Sequence, residues 1–348
     1  MSTTVVSPAL TAAPLAPAVA SDAPAKTWLV GPWFDLVFLA NLAWPLAVAA
    51  ALFSPLDETN PISLFQIYFL STPHRWITLV MVFFDSERFW KEPAKFGGVG
   101  LLLIALGLAL VGVAGFLPYA ASSLMLLMML DYVWNAWHFA AQHAGIARIY
   151  GRAVYPEQTP DEAEFEKSAI RTLVLWVFFR LAIHIGTATE FGDNVRWLTP
   201  WLGWIDPLAL IPVGILVYRE AVAFRPEHLG RALYIGSVLA LYTAQLVAIR
   251  IEAGPLMMAF FFAGAIFHAV EYLAICNWSV QKRTSGIWHY QITRTGLALF
   301  VFMALLGAVN YFVNAQSVYL WQLVTLLVSL LHYAYDGMIW KAKPAAAS

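Results

Sequence analysis

Four histidines stand inside long apolar segments of this sequence, where an ionisable side chain is costly and normally serves a function. They are His74, His138, His268 and His332. Neutral imidazole is a common ligand of transition metals. The chain has a single cysteine, Cys276, so a thiolate cluster is excluded and any metal must be held by His, Asp or Glu.

Polar companions follow three of these histidines at helical spacing. Side chains three or four residues apart lie on one face of a helix. The companions of His138, His268 and His332 are, in that order, Gln142, Glu271 and Asp336. The first continues a stripe that begins at Asp131 and Asn135. A carboxylate at this spacing predicts either a further metal ligand or a group that orients an imidazole through its second nitrogen.

A second polar group begins at His74. Thr78 and Asp85 follow it by four and eleven residues, which predicts one shared helical face. Pro73 lacks a backbone N–H, so it predicts a kink just before His74.

Arg75 places a guanidinium near the predicted middle of the membrane, beside His74, where it requires a partner. The expected partners are Glu271, Asp131 or the anionic head of a bound substrate. The alternative is an arginine that snorkels toward water from a helix that starts near Pro73.

The composition indicates that these residues are embedded in a membrane protein. Of the 348 residues, 61% are hydrophobic and 12% are charged, which is about half the charged fraction of a soluble domain. The formal net charge of -1 gives no basic surplus for nucleic acid. Ten apolar segments have about the length needed to cross a bilayer. Their approximate spans are 33–54, 62–84, 98–117, 120–147, 168–190, 205–219, 231–250, 255–277, 295–314 and 318–340.

Charge in the loops predicts the orientation of these segments. Lys and Arg are concentrated in the second, fourth, sixth and eighth loops and in both tails, whereas the fifth and seventh loops have only Arg196 and Arg250. The positive-inside rule then predicts an all-α polytopic bundle of about ten helices with both termini cytoplasmic, in the inner membrane of a bacterium. The short sixth span could instead be re-entrant. We expect a disordered tail over 1–26, one transmembrane domain over 27–341 and a short tail over 342–348.

This topology predicts that the four histidines lie at similar depth. All four of their helices run from outside to inside, and counting from each outer end places the imidazoles within ~9 Å of one another along the membrane normal. We therefore expect one shared site in the middle or cytoplasmic half of the bilayer. Glu271 and Asp336 lie about one turn nearer the cytoplasm, where they could complete the site.

The remaining histidines receive weaker assignments. His143 is about 140° round the helix from His138, so we expect it at the cytoplasmic interface rather than on the same metal. His184 falls in the outer half of its helix and is a second-tier candidate for the shared site. His228 and His289 lie in loops and are predicted to be surface residues.

Imidazole with carboxylate suits iron, zinc or copper. The chain has no Walker loop, GxGxxG, GxSxG or HExxH signature. In an apolar cavity without hydrolase signatures, the favoured chemistry is activation of O2 by one or two non-heme iron ions. The expected substrate is a lipophilic molecule delivered by the bilayer. Trp134 and Trp137 flank the polar stripe, where core packing is the favoured explanation and a pocket wall the alternative.

Single histidines on several helices, together with His-x3-Asp at His332 and Asp336, resemble the membrane-embedded, histidine-ligated iron oxygenases of the Brp/Blh carotenoid-cleaving type. The histidine boxes of membrane desaturases, HxxxH and HxxHH, are absent. The resemblance implies an iron-dependent oxygenase with Glu271 and Asp336 as ligands or orienting groups. Arg75 and Gln142 would contact substrate or oxygen. The implied ligands are His74, His138, His268 and His332.

Three other classes remain open at this point. One is a b-type heme protein that exchanges electrons with quinone. Another is a proton-coupled transporter with a relay that includes Asp131, Glu271 and Asp336, although the inverted repeats of such folds are not evident. The last is a zinc-dependent membrane hydrolase in which Glu271 is the general base.

Overall fold

The computed structural model describes residues 26–54, 61–117, 122–155, 158–187 and 197–340. Within these ranges all regular structure is helical, which agrees with the predicted all-α class. Nearly all of the first predicted tail, the whole of the last one and Arg196 lie outside the described residues.

The described residues contain twelve α-helices, together with short 3-10 and π-helical segments. In order, α1 to α12 are Pro32–Phe34, Trp44–Phe53, Pro61–Leu64, Thr72–Phe83, Pro93–Ala114, Met125–Val154, Pro160–Thr187, Thr199–Val222, Leu229–Arg250, Gly254–Val280, Gly296–Gln316 and Val318–Ile339.

In the described part of the chain, eight helical stretches are long and apolar enough to cross a membrane. They are Pro32–Phe53, Pro93–Ala114, Pro160–Gly186, Thr199–Val222, Pro226–Arg250, Gly254–Val280, Gly296–Gln316 and Val318–Ile339. The chain is thus an all-helical bundle with the character of an integral membrane protein. The sixth predicted span lies inside α8, a continuous helix of 24 residues despite Pro207 and Pro212.

Two of the ten predicted spans are not among these eight. The predicted span 62–84 is divided between α3, a π-helical segment over Phe65–Ser71, and α4, which has only 12 residues. The predicted span 120–147 lies largely in α6, whose polar stripe makes it less apolar than the others. Both elements carry histidines of the candidate site.

The π-helical segment ends immediately before the first candidate histidine. Ser71 closes it, and α4 begins at Thr72 with Pro73 in its first turn. Because Pro73 has no N–H, the regular α-helical hydrogen bonds cannot run unbroken through this position. The change of helix type therefore stands where the sequence predicts a kink, next to His74, and π segments of this kind are frequent at functional sites.

Helix α10 lies at the centre of the bundle. Of its most apolar window, 78% is buried, whereas the corresponding value for α11 is 11%. It packs against α2, α4, α6 and α9. Because α10 carries His268 and Glu271, these two side chains are fully enclosed by protein, with exposures of 1% and 0%.

Candidate metal centre

Four imidazole rings meet in the interior of the bundle. The ring of His74 lies 5.2 Å from that of His268 and 5.1 Å from that of His332, measured between centroids. The ring of His138 lies 4.9 Å from that of His268 and 4.5 Å from that of His332. All four residues are buried. Helices α4, α6, α10 and α12 thus each contribute one histidine to a single cluster, which we call the histidine quartet.

One pair in the quartet has the spacing of ligands on a common ion. The Nε2 atoms of His138 and His332 are 3.0 Å apart. Two imidazole nitrogens that each lie about 2.0–2.1 Å from one metal ion are separated by about 2.9–3.4 Å at octahedral or tetrahedral angles. The same distance also suits a proton shared by the two nitrogens. The contacts of the other quartet members distinguish a shared proton from a shared metal ion.

His268 provides that second observation. Both of its ring nitrogens are buried and have no hydrogen-bond partner among the described residues, and the same is true of Nδ1 of His74. The ring of Phe139 stacks on the His268 ring at 3.8 Å with an interplanar angle of 11°. Buried polar atoms in proteins are nearly always paired. An imidazole held firmly between rings with two unpaired nitrogens fits a group that binds a ligand.

Asp336 closes one side of the quartet. Its Oδ2 atom lies 3.8 Å from Nδ1 of His138 and 3.9 Å from Nε2 of His332. Its Oδ1 atom accepts hydrogen bonds from the hydroxyl of Tyr272 at 2.5 Å and from that of Thr78 at 3.2 Å. One carboxylate oxygen is therefore fixed by hydroxyls while the other faces the histidines.

Thr78 also fixes the orientation of a quartet ring. Its Oγ1 atom lies 2.7 Å from Nδ1 of His332 and 2.5 Å from the hydroxyl of Tyr272. The bond engages Nδ1 and leaves Nε2 of His332 facing His138. Hydrogen bonds of this kind set the tautomer and direction of metal-binding imidazoles.

The ligand atoms form two overlapping groups that could each hold an ion. One consists of His74, His268 and His332, and the other of His138, His332 and Asp336; the ligand atoms of each group lie within 4.8 Å of one another. Because His332 belongs to both, the two groups form one continuous set of donors.

Glu271 lies in a separate polar network next to the quartet. Its carboxylate accepts a hydrogen bond from Nε2 of Gln142 at 2.6 Å and from the hydroxyl of Tyr234 at 2.5 Å. Nδ1 of His143 lies 3.1 Å from its Oε2 atom, and Nε2 of the same ring lies 3.0 Å from the hydroxyl of Tyr242. Gln142 also donates to the backbone oxygen of His268. The network braces α10 against α6 behind the quartet.

The prediction for His143 is wrong. It is fully buried rather than at an interface, because the face of α6 that carries it packs on α9 and α10. The prediction for His228 is also wrong: only 5% of this residue is exposed, its Nδ1 atom lies 3.1 Å from the backbone oxygen of Ala223, and its ring packs on Tyr155. His289 is exposed, as predicted, and His184 is half-buried.

Asp85 does not share the face of His74 and Thr78. Helix α4 ends at Phe83, and the fully buried Asp85 forms an ion pair with Arg283 and accepts a hydrogen bond from the Ser285 hydroxyl at 2.7 Å. It thereby fastens the loop after α4 to the loop after α10. Burial, together with the neighbouring Arg283 guanidinium, lowers the pKa of Arg88 in this loop to about 10.

Neither of the two predicted carboxylate partners of Arg75, Glu271 and Asp131, forms an ion pair with it among the described residues. No carboxylate lies within 4 Å of its guanidinium in the part of the chain that the structure describes, and its Nε atom is buried without a hydrogen-bond partner. Asp131 and Asn135 instead accept hydrogen bonds from the Tyr333 hydroxyl, at 3.1 and 3.0 Å.

A cavity of about 710 Å³ leads from the quartet toward one end of the bundle. His138, Tyr272 and Asp336 line its inner part. Its walls include Trp134, the ring of Tyr333 and, directly after the end of α12, Trp340. Trp134 and Trp137 both line this cavity, which agrees with the alternative prediction that they form a pocket wall. The quartet therefore stands beside a space large enough for a small-molecule ligand, for which about 300–1,000 Å³ is usual.

Sequence reasoning missed Tyr272, Tyr333 and Phe139 as parts of the site. Each has a signal that is visible afterwards: Tyr272 follows His268 by four residues, and the other two are direct neighbours of His332 and His138. Aromatic residues are so common in this chain that such neighbours do not stand out before the packing is known.

Comparisons with protein-family models, with curated proteins and with solved structures gave no significant match for this chain. The class defined by fold and site is thus an all-helical, membrane-type bundle with a buried histidine quartet.

Proposed function

We propose that this protein is a membrane-embedded metalloenzyme, a non-heme iron oxidoreductase that uses O2 on a lipophilic substrate. The quartet would hold the metal, with Asp336 as a further ligand or as the group that orients the rings. The observation that carries the proposal is His268, a fully buried imidazole with two unpaired ring nitrogens inside a ring of three other histidines.

The donor set fits such an ion. Four imidazoles and one carboxylate oxygen are ligands that iron, zinc and copper accept. Asp336 has one oxygen available because Tyr272 and Thr78 occupy the other. Bound iron would supply the redox chemistry with O2, and the surrounding apolar helices would keep bulk water away from it.

The packing argues against a heme between these rings. A porphyrin needs a flat slot beside its axial histidines. Here the Nε2 atoms of His138 and His332 approach to 3.0 Å, and the Phe139 ring covers the face of His268. The unpaired nitrogens also speak against a simple proton relay, because a relay requires each member to be hydrogen-bonded to the next.

The surrounding residues have positioning roles in this proposal. Thr78 and Tyr272 hold the ring of His332 and the carboxylate of Asp336 in place. Gln142 and Glu271 brace α10 behind His268. The bundle would have ten membrane-spanning segments with both termini in the cytoplasm of a bacterium, since loop charge follows the positive-inside rule.

Metal analysis of the detergent-purified protein, with a visible absorption spectrum, tests the proposal. The His268→Ala variant is the matched control. We expect one or two irons per chain, no Soret band, and loss of the metal in the variant. A Soret band would make the protein a heme protein, zinc alone would favour a hydrolase, and absence of stoichiometric metal under conditions that retain loosely bound iron would favour the transporter class.

A further inference from the structure

We propose that the cavity beside the quartet binds a single-chain lipid with an anionic head, a carboxylate or a phosphate. The head would lie on a group of basic side chains at the outer end of the cavity and the chain would extend toward His138. This inference deepens the proposed function, because it assigns the substrate class to the same site. The binding itself requires no metal.

The cavity has a charged end and an inner end that contains the reactive groups. Four basic side chains line it, which we call the basic cluster: Arg148, Arg152, Lys167 and Arg171. Asp336 is the one acidic side chain among the lining residues, and it lies at the opposite end, beside the quartet. The cavity therefore presents an excess of positive charge at its outer end.

Among the residues that the structure describes, two members of the basic cluster have no carboxylate partner. Glu164 pairs with Lys167 and lies 3.9 Å from Arg148. Arg152 and Arg171 have no carboxylate within 4 Å among the residues that the structure describes. The Nε atom of Arg171 is also buried and has no hydrogen-bond partner there. Guanidinium groups in this state favour a carboxylate or phosphate ligand, which they bind through paired hydrogen bonds.

An aromatic side chain holds one member of the basic cluster, Arg171, next to the apolar part of the cavity. The guanidinium of Arg171 lies 4.8 Å from the ring centroid of Trp137. Trp137 is 47% exposed on the outer face of α6, so this wall of the cavity reaches the lipid-facing surface of the bundle. An amphiphile in the bilayer would enter there with its head at the level of the arginines.

The dimensions fit one lipid chain. His138 and Arg152 are fourteen residues apart on α6, a distance of about 21 Å along the helix. One leaflet of the hydrocarbon core is about 15 Å thick, half of the usual ~30 Å. A lipid chain that spans one leaflet from a head at Arg152 would therefore end close to the quartet.

The assignment differs from the one that the sequence suggested. The anionic head of a substrate is one of three partners that the sequence predicts for Arg75, but Arg75 does not line this cavity. Arg148 and Arg152 lie ten and fourteen residues beyond His138 on α6, whereas Arg171 reaches back from α7 to Trp137. The head would thus be recognised mainly at the end of the cavity away from the quartet, and oxidation would occur at the other end.

Binding of labelled hexadecyl phosphate and palmitate to the full-length protein in phosphatidylcholine nanodiscs tests this inference. Hexadecanol controls for the chain without charge, and inorganic phosphate for the charge without chain. The variant Arg152→Gln/Arg171→Gln removes the two cations that have no carboxylate within 4 Å among the described residues. Its matched control is Lys91→Gln/Lys282→Gln, which removes two cations outside the cavity, one of them stacked on Trp278 as Arg171 is stacked on Trp137. Metal content and thermal unfolding report whether each variant is folded.

We expect saturable binding of both anionic lipids, at least tenfold weaker binding in the arginine variant and unchanged binding in the control. Equal affinity for hexadecanol, equal loss in both double variants, or binding of free phosphate as tight as that of the lipids would overturn the inference. If the double arginine variant is unfolded, two other measurements test the inference: lipid binding by the single variant Arg152→Gln, and competition between the anionic lipids and hexadecanol for the wild-type protein. Metal without lipid binding would refute only this inference, and lipid binding without metal would refute only the proposed function.

Discussion

The Nε2 atoms of His138 and His332 lie 3.0 Å apart, although the two residues are separated by 194 positions in the sequence. Two neutral imidazoles can approach so closely only if a proton or a metal ion lies between their nitrogens. A proton shared by this pair leaves both ring nitrogens of His268 unpaired, whereas an ion held by the group of His74, His268 and His332 would give one of them a partner, and His332 belongs to both groups. The pair therefore links the geometry of the quartet to metal binding.

Each quartet histidine is expected to be necessary for metal retention. His138→Ala and His332→Ala remove one donor each from a shared site, so we expect metal content to fall below a tenth of the wild-type value. The exposed His289→Ala should retain full metal. Full metal content in the variant that lacks both His138 and His332 would contradict a shared site.

Thr78 is expected to tune the affinity for metal without binding it. Thr78→Val removes the hydroxyl that fixes Nδ1 of His332, and loss of such orienting groups typically weakens metal binding about 10–100-fold. Competition with a chelator measures this change. Thr325→Val is the control, since the buried hydroxyl of this half-buried threonine has no hydrogen-bond partner among the described residues. Equal affinities in the two variants would remove Thr78 from the site.

The convergence of the four histidines could be predicted because depth follows from counting residues in helices that run in the same direction. Rotation about each helix axis could not be predicted in the same way. His143 shows the difference: its angle from His138 was correct, but whether that face meets solvent or protein depends on the packing of α9 and α10. Asp85 shows a second limit of the sequence analysis. Its predicted place on the face of His74 requires the helix to continue to Asp85, whereas α4 ends at Phe83.

Glu271 is expected to support the fold rather than to bind the metal. Glu271→Leu leaves Tyr234, Gln142 and His143 without their shared acceptor, and since each unsatisfied buried donor costs about 1–3 kcal/mol, we expect a loss of about 3–5 kcal/mol in unfolding free energy. Glu271→Gln retains an acceptor and should lose less. Thermal unfolding in detergent, together with metal analysis, checks both variants. Loss of metal from a folded Glu271→Gln protein would show that the carboxylate is a ligand.

Gly286 is expected to be intolerant of any side chain. Its φ of +60° favours glycine, and an added Cβ would lie 2.1 Å from the backbone oxygen of Phe84. The close approach of Gly286 to the backbone of Phe84, together with the Asp85–Arg283 ion pair, fastens the loop after α10 to the loop after α4. These contacts help to fix the position of His268 relative to His74. We expect Gly286→Ala to lower the unfolding free energy by more than about 2 kcal/mol and to weaken metal retention. Gly296→Ala, where an added Cβ meets nothing within 4 Å, is the matched control and should leave both measurements unchanged. Equal melting temperatures for the two variants would show that this loop contact does not hold α4 and α10 together.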